Sequence, residues 1–197
     1  TGTPVERMPF EQVEYWPELC QILRWSITHA GSTMHICWSA QAGLYYHYGI
    51  EKQVLSQKLS GIFSHTVCAP ENPLMAGFDD VFTAPHSRYS AVETAGIRAV
   101  PELEILAESR EAGVYAIWTQ KRRQLFVLGH PEYDRDSLQK EYLRDLTADR
   151  GLRPPEHCFA EGNLNHPVPC TWRSGATLLF ANWLGVLAEK IYPALSR

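Results

Sequence analysis

The stretch Thr33-Met-His-Ile-Cys-Trp-Ser-Ala-Gln-Ala42 places a short apolar strand, a cysteine and the start of a helix directly after one another. This order predicts a nucleophile elbow, a sharp strand-to-helix turn that lifts a side chain out of the sheet. Backbone N–H groups at the helix start would then point toward an oxyanion formed beside that side chain. Cys37 is therefore a candidate nucleophile for acyl transfer, although a single cysteine after a strand is more often a small buried apolar residue.

A candidate base follows the apolar run Gln124-Leu-Phe-Val-Leu128, in the segment Gly129-His-Pro-Glu-Tyr-Asp134. A histidine at the end of a strand can accept a thiol proton, and a carboxylate two residues later can fix the imidazole tautomer. The sequence therefore predicts that Cys37, His130 and Glu132 form a catalytic set.

The composition of the chain limits the kinds of partner that the protein is expected to bind. The chain has 197 residues, 45% of them hydrophobic, which predicts one domain over residues 1–197 with a substantial core. The net charge is −4 and basic residues cluster only at Lys121-Arg-Arg123, so no nucleic-acid partner is expected. No apolar run approaches the ~18 residues of a membrane helix, and no charged-then-apolar leader opens the chain. We therefore expect a cytoplasmic protein without a membrane partner.

Cysteine usage argues against metal sites and disulfides. The chain has five cysteines, an odd number, and no C-x-x-C pair. This pattern predicts neither a zinc site nor a disulfide framework, and it suits a reducing compartment. The His157-Cys158 pair and His166 with Cys170 lack ligand spacing, so we expect no metal and no bound cofactor.

The predicted elements alternate between helix and strand. Apolar residues recur every three to four positions over 15–29, a strand leads to Cys37, and a helix follows to Tyr48 with Gly49 as its end. This rhythm predicts an α/β fold, a three-layer α/β/α sandwich with a mostly parallel sheet. Further strands are predicted at Leu103–Glu108, Val114–Thr119 and Leu125–Leu128, the last two as a hairpin. Further helices are predicted at Asp136–Asp149 and Ala176–Ile191, with a long surface loop at Arg153–Pro169.

Seven blocks in this order span nearly the whole chain: Thr1-Gly-Thr-Pro-Val-Glu6, Cys37-Trp-Ser-Ala-Gln-Ala-Gly-Leu-Tyr-Tyr-His-Tyr-Gly-Ile50, Lys58-Leu-Ser-Gly61, Gly77-Phe-Asp-Asp80, Ala84-Pro-His-Ser-Arg-Tyr89, Gly129-His-Pro-Glu-Tyr-Asp134 and Thr171-Trp-Arg-Ser174. Together they resemble the homoserine O-acyltransferases of the homoserine transsuccinylase type. The resemblance implies a fold like that of class I glutamine amidotransferases and acyl transfer from acyl-CoA to homoserine for methionine biosynthesis. It also implies earlier strands of the same sheet ahead of Thr1, which this chain is expected to lack.

The resemblance assigns roles to the catalytic candidates. Cys37 would become an acyl-thioester in a ping-pong reaction. His130 would serve as base first for Cys37 and then for the acceptor hydroxyl, with Glu132 supporting the imidazolium. The N–H of Trp38 would be one oxyanion donor, and the Thr1–Pro4 loop would supply the second.

The resemblance also assigns substrate contacts. Lys58 and Arg144 match positions that hold the amino-acid acceptor, and Ser87 matches a position that influences substrate choice. From the residues alone, the more common roles are a surface charge for Lys58, a surface ion pair for Arg144 and a turn residue for Ser87. Glu6 matches a position where glutamate accompanies acetyl-CoA and glycine accompanies succinyl-CoA, because a glutamate would block and repel the second carboxylate of a succinyl group. Acetyl-CoA is therefore the expected co-substrate.

Other functions stay open. A cysteine glutaminase or hydrolase would share the Cys-His-Glu set, but such elbows usually place small residues beside the nucleophile, and here Ile36 and Trp38 flank it. An inactive interaction fragment is a second alternative. Within the transferase reading, succinyl-CoA remains a possible donor and L-serine a possible acceptor. A homodimer remains open as the assembly.

Overall fold

The computed structural model describes residues 5–148, 150–159, 163–164 and 166–191. For residues 189–191 it describes the backbone without the side chains. The helices and strands in chain order are α1 (Trp16–His29), β1 (Thr33–Ile36), α2 (Trp38–Tyr48), β2 (Lys52–Val67), β3 (Val81–Val92), α3 (Thr94–Arg98), β4 (Glu104–Ser109), β5 (Gly113–Thr119), β6 (Gln124–Val127), α4 (Ser137–Leu146) and α5 (Arg173–Ile191). Single 3₁₀ turns occur at Phe10–Gln12 and Pro73–Met75.

The predicted helices α1, α2, α4 and α5 and the predicted strands β1, β4, β5 and β6 are confirmed, with shifts of a few residues at their ends. The local signals explain why. Proline stands in the first turn of α1, where its missing N–H has no helical partner. Gly49 ends α2 in the left-handed conformation at φ 67°, and its N–H donates to the carbonyls of Leu44 and Tyr45.

The sheet has six strands in the order β1-β6-β5-β4-β2-β3. Among the named strands of the described residues, β1 and β6 pair in parallel and the other four pairs are antiparallel. The prediction of a mostly parallel sheet is therefore wrong. The physical reason lies in the connections, because the short turns that link β4, β5 and β6 can join only antiparallel neighbours, whereas a parallel pair needs a long crossover.

Strands β2 and β3 form a long hairpin that the sequence analysis did not predict. The first half of β2 is largely solvent-exposed, so its sequence lacks the apolar-polar alternation of a half-buried strand. Pro85 lies within β3, where proline argues against a strand in sequence reasoning, yet this strand is at the sheet edge, which tolerates it.

Helices cover both faces of the sheet, as the α/β/α prediction requires. On one face Leu179 of α5 packs with Leu106 and Trp118, and on the other Leu44 of α2 and Ile97 of α3 pack with strand residues such as Phe126. The described part of the chain contains no helix that is both long and apolar enough to cross a membrane.

The sheet curls until β3 meets the strand ends beside α2. The N–H of His130, just after β6, donates to the Pro85 carbonyl of β3 at 2.8 Å. Gln41 of α2 and Ser90 of β3 exchange two buried hydrogen bonds, at 3.1 and 2.7 Å. The β2–β3 hairpin therefore closes over the elbow, and it forms one wall of a site to which α2 and the end of β6 also contribute.

Gly61 fixes the hairpin against the loop after α4. It has φ 155°, and a Cβ there would lie 2.3 Å from the Glu156 carbonyl oxygen. We expect Gly61→Ala to lower the free energy of unfolding by at least ~2 kcal/mol, because both the backbone conformation and the contact exclude a side chain. Urea denaturation measures the change. Gly185→Ala is the control, since Gly185 lies in α5 with open space around it and alanine should stabilise the helix by ~0.5–1 kcal/mol. Equal effects of the two changes would contradict this explanation.

Candidate active site

Cys37 stands at the turn between β1 and α2. Its backbone has φ 54° and ψ −118°, a conformation that non-glycine residues rarely adopt, and its side chain is 1% exposed. The Cys37 N–H donates to the Val127 carbonyl of β6 at 2.7 Å, so the turn is tied to the neighbouring strand. This is the strained strand-turn-helix geometry that the sequence predicts, and it presents the thiol at the end of the sheet.

His130 and Glu132 lie beside the thiol. The His130 ring is buried, 4% exposed, and its Nδ1 lies 2.8 Å from Glu132 Oε1. The other ring nitrogen, Nε2, is then the one available to Cys37, with which the ring also forms a hydrogen bond. The order thiol, imidazole, carboxylate is the one in which a base is oriented by its acid partner.

The charge of His130 follows from these contacts. Burial opposes the charged ring, but the hydrogen bonds with Cys37 and Glu132 and the charges of both groups outweigh it and raise the pKa of His130 to about 10. A protonated imidazole beside a thiol favours the thiolate, which is the nucleophilic form. The ring of Tyr133 stacks on His130 with centroids 4.1 Å apart, and so restricts the imidazole orientation.

The oxyanion donors are described only in part. Trp38 is the first residue of α2, where backbone N–H groups have no acceptor within the helix. Its N–H is therefore available beside Cys37, as the sequence analysis expects. The second expected donor, the Thr1–Pro4 loop, lies outside the described residues.

The structure brings Lys58 and Ser87 to the site. The Ser87 carbonyl oxygen is 4.0 Å from Cys37 Sγ, and the Ser87 hydroxyl donates to Glu141 of α4. Lys58 Nζ lies 2.7 Å from Asp145 Oδ2 and 3.7 Å from Glu141 Oε2. These two candidates are thus linked to the nucleophile through β3 and α4.

Arg144 lies farther out. Its side chain is 69% exposed, and its Nε contacts Asp145 Oδ1 at 2.7 Å. The described structure therefore gives it no contact with Cys37 or His130. Through Asp145 it stands next to Lys58, at the solvent end of the same group of residues.

Glu6 reaches the same site from the N-terminal side. Its Oε2 accepts the backbone N–H of Tyr89 in β3. Burial raises the pKa of Glu6, and the hydrogen bond from Tyr89 and the charges of Lys58, His130 and Arg88 partly offset that rise. A half-buried carboxylate therefore interacts electrostatically with the candidate base.

Three further residues, Glu141, Tyr133 and Arg88, contribute to the site and were not predicted. The Glu141 carboxylate accepts hydrogen bonds from Ser87 and from the Tyr133 hydroxyl, and so joins α4 to the stacked ring over His130. Arg88 is buried in β3 and interacts electrostatically with Cys37. Glu141 lies three residues, about one helical turn, before Arg144, and this spacing places both on one face of α4. The spacing could have indicated Glu141 as a further site residue. No sequence signal indicates that Arg88 is buried.

One surface group could hold a metal ion among the described residues: the exposed side chains of Glu111, Glu156 and His157. His157 Nε2 and Glu111 Oε2 are 3.1 Å apart. Exposed acidic clusters of this kind are common without an ion, and this one lies outside the catalytic candidates, so we assign it no role.

Solved structures support the fold. A glutamine amidotransferase from Thermotoga maritima matches with a TM-score of 0.63 at 11% identity, over 96% of this chain and 74% of that one. A glutamine amido transferase from Methylobacillus flagellatus matches with a TM-score of 0.68 at 13% identity, over 88% of this chain and 70% of that one. At these identities the likeness concerns the fold alone, and it confirms the amidotransferase-like architecture.

Sequence relatives are much closer. A homoserine O-acetyltransferase from Lachnospira eligens is 48% identical over 195 residues, 98% of this chain and 62% of the relative. Those from Bacillus subtilis and Thermotoga neapolitana are 49% and 52% identical over 93% of this chain and 61% and 60% of their own length. The chain thus spans about three fifths of the length of these relatives. The family model described as homoserine O-succinyltransferase matches residues 1–193, and the chain therefore belongs to that family.

Proposed function

We propose that the protein is an acyltransferase that moves an acetyl group from acetyl-CoA to the hydroxyl of L-homoserine, in methionine biosynthesis in the cytoplasm. The observation that carries the proposal is the buried arrangement of Cys37, His130 and Glu132 at a strained elbow. Family membership and the names of the relatives support the homoserine acyltransferase activity.

In the first half-reaction, the Cys37 thiolate attacks the thioester carbonyl carbon of acetyl-CoA. A bond forms between Sγ and that carbon, and the oxyanion is stabilised by the Trp38 N–H. The bond to the CoA sulfur then breaks, and the leaving thiolate takes the proton from His130. A protonated resting His130, which its raised pKa favours, is what this step requires.

In the second half-reaction, neutral His130 accepts the proton of the homoserine hydroxyl through Nε2. The hydroxyl oxygen attacks the acyl carbon, and the Cys37 thiolate leaves. The reaction thereby restores the starting pair of thiolate and imidazolium. Glu132 accepts a hydrogen bond from His130 Nδ1 at 2.8 Å. It thereby keeps the ring proton on Nδ1, so that Nε2 can accept the hydroxyl proton.

Acceptor binding is assigned to Lys58, Ser87 and Arg144. Ser87 contacts the nucleophile, and Lys58 contacts Glu141, the carboxylate that accepts the Ser87 hydroxyl. Arg144 would have to exchange its Asp145 contact for a substrate carboxylate, a planar anion that suits a guanidinium fork. L-serine, one methylene shorter, is the competing acceptor, and one methylene provides only ~1–3 kcal/mol of discrimination.

Donor choice is assigned to Glu6. We expect Glu6→Gly to raise succinyl-CoA use relative to acetyl-CoA by ~10- to 100-fold, since removing a half-buried carboxylate removes both bulk and repulsion, worth ~1.4–3 kcal/mol. The ratio of kcat/KM for the two donors measures the effect. Glu14→Gly, at an exposed position, is the control. An unchanged donor ratio in Glu6→Gly would remove the residue-level reason for preferring acetyl-CoA.

The decisive experiment for the proposed function uses the full-length protein. Steady-state rates are measured with L-homoserine and L-serine against acetyl-CoA and succinyl-CoA, with L-glutamine hydrolysis as a separate arm. The proposal expects the highest kcat/KM for acetyl-CoA with homoserine. Glutamine hydrolysis without acyl transfer would instead identify a glutaminase, the alternative that shares the Cys-His-Glu set.

A further inference from the structure

Arg88 is a buried cation that fastens the chain next to the candidate base. Its side chain belongs to β3 and is 3% exposed. One terminal nitrogen donates to the Leu128 carbonyl at 3.1 Å, and the other donates to the Ala112 carbonyl. Leu128 directly follows β6 and is two residues before His130, so this guanidinium holds the chain where it leaves β6 toward the base.

The charge of Arg88 has no local ion pair. Among the described residues no carboxylate lies within 4.0 Å of it, and its Nε has no hydrogen-bond partner there. A buried charge without a paired anion is costly, and burial lowers the pKa of Arg88 to about 10. The charges that favour the guanidinium are those of Cys37 and Glu6. Its electrostatic partners are therefore the two acidic groups of the candidate site.

Two buried histidines complete the surroundings of Arg88. A guanidinium only donates hydrogen bonds, so His86 Nδ1, which contacts Arg88, must accept and the ring proton must be on Nε2. His86 Nε2 lies 2.9 Å from His65 Nε2, so His65 must accept there and carry its own proton on Nδ1. Both rings are fully buried, and burial lowers the pKa of each, that of His65 to about 4. One neutral tautomer of each histidine is thus fixed by the arginine.

We propose that Arg88 is a positioning residue of the acyl-transfer site, which holds the β6 end in register with the elbow and keeps a fixed positive charge beside the Cys37 thiolate. His86 accepts a hydrogen bond from the Arg88 guanidinium and donates one to His65, so this pair fixes the orientation of the guanidinium. This inference rests on the proposed role of Cys37 as nucleophile. The other titratable groups that act on Cys37 or on its base are His130, Glu132, Tyr133, Glu6 and His86, and the Arg88 variants leave these side chains chemically unaltered.

The test is the pH dependence of Cys37 alkylation by iodoacetamide in the full-length protein, followed by mass spectrometry of the peptide that contains Cys37. We expect Arg88→Met to move the midpoint of alkylation up by about one pH unit and to lower the rate below that midpoint ~10-fold, because a neighbouring positive charge is lost. Arg88→Lys retains the charge and should keep the midpoint near the unaltered value. Arg98→Met, an exposed arginine on α3, is the matched control and should change nothing.

A folded Arg88→Met protein with an unaltered alkylation profile would overturn the proposal. Alkylation needs no acyl donor, so this outcome is distinct from failure of the proposed function, which the donor and acceptor rates decide. If Arg88→Met does not fold, nitrogen-15 NMR of histidine side chains in the unaltered protein provides an independent measurement. It should show neutral His86 with its proton on Nε2 and neutral His65 with its proton on Nδ1 between about pH 6 and 8. A charged His86, or a proton on its Nδ1, would equally overturn the proposal.

Discussion

Replacing Cys37 with alanine is expected to lower the rate of acyl transfer to homoserine by at least ~1,000-fold, because Cys37 is the proposed carrier of the acyl group and alanine has no nucleophilic side chain. The steady-state kcat measures this loss. Intact-protein and peptide mass spectrometry after addition of acetyl-CoA without acceptor measures the intermediate directly. The unaltered protein should gain one acetyl group on the peptide that contains Cys37, and Cys37→Ala should gain none.

Cys68→Ala is the matched control for this prediction, since Cys68 is exposed and lies away from the elbow. It should retain full activity and full acetylation. Acetylation at Cys20, Cys68, Cys158 or Cys170, or turnover by Cys37→Ala, would refute the covalent mechanism while leaving the family assignment intact.

His130→Asn should lower kcat/KM by ~100- to 10,000-fold, the usual contribution of a general base, and Glu132→Gln should lower it less, since the carboxylate acts through the imidazole. The two changes also differ in pH dependence. Glu132 helps to raise the pKa of His130, and the active thiolate–imidazolium pair is lost as pH rises through that pKa. Glu132→Gln should therefore move the alkaline limb of the pH–rate profile to lower pH.

His29→Asn is the control for this pair, because His29 is exposed at the end of α1. It should leave both the rate and the pH profile unchanged. A larger loss in Glu132→Gln than in His130→Asn would contradict the assigned roles, as would an alkaline limb that does not move.

Local sequence patterns predicted much of this fold and the proximity of Cys37, His130 and Glu132, whose catalytic roles stay a prediction. The run from Thr33 to Ala42 indicated a strand, a turn and a helix, and these are present with Cys37 at the turn. The spacing of His130 and Glu132 indicated a base with its orienting carboxylate, and the two are hydrogen-bonded. Such features depend on neighbours within a few residues, which a sequence displays directly.

Features that depend on distant contacts were not predictable in the same way. The polar first half of β2 pairs with β3, so the hydrogen-bonded ladder rather than a buried face defines it. Whether two strands run parallel or antiparallel depends on the length of the segment that connects them. The alternation of strand and helix around α2 predicted parallel strands, but the strands from β2 to β6 pair antiparallel with one another. The burial of Arg88 and His86 depends on where the curled sheet closes, which no local pattern encodes.

The closure of the sheet over the elbow also has a consequence for folding kinetics. The contacts Cys37–Ser87 and Ser87–Glu141 join residues 50 and 54 positions apart, whereas β4, β5 and β6 are linked by short turns. Because the entropy of closing the long segments is lost before their contacts stabilise the chain, contacts of this separation form slowly. After dilution from denaturant, the antiparallel β4–β6 meander should appear first. Enzymatic activity should return in a later phase, when the hairpin docks onto the cysteine turn.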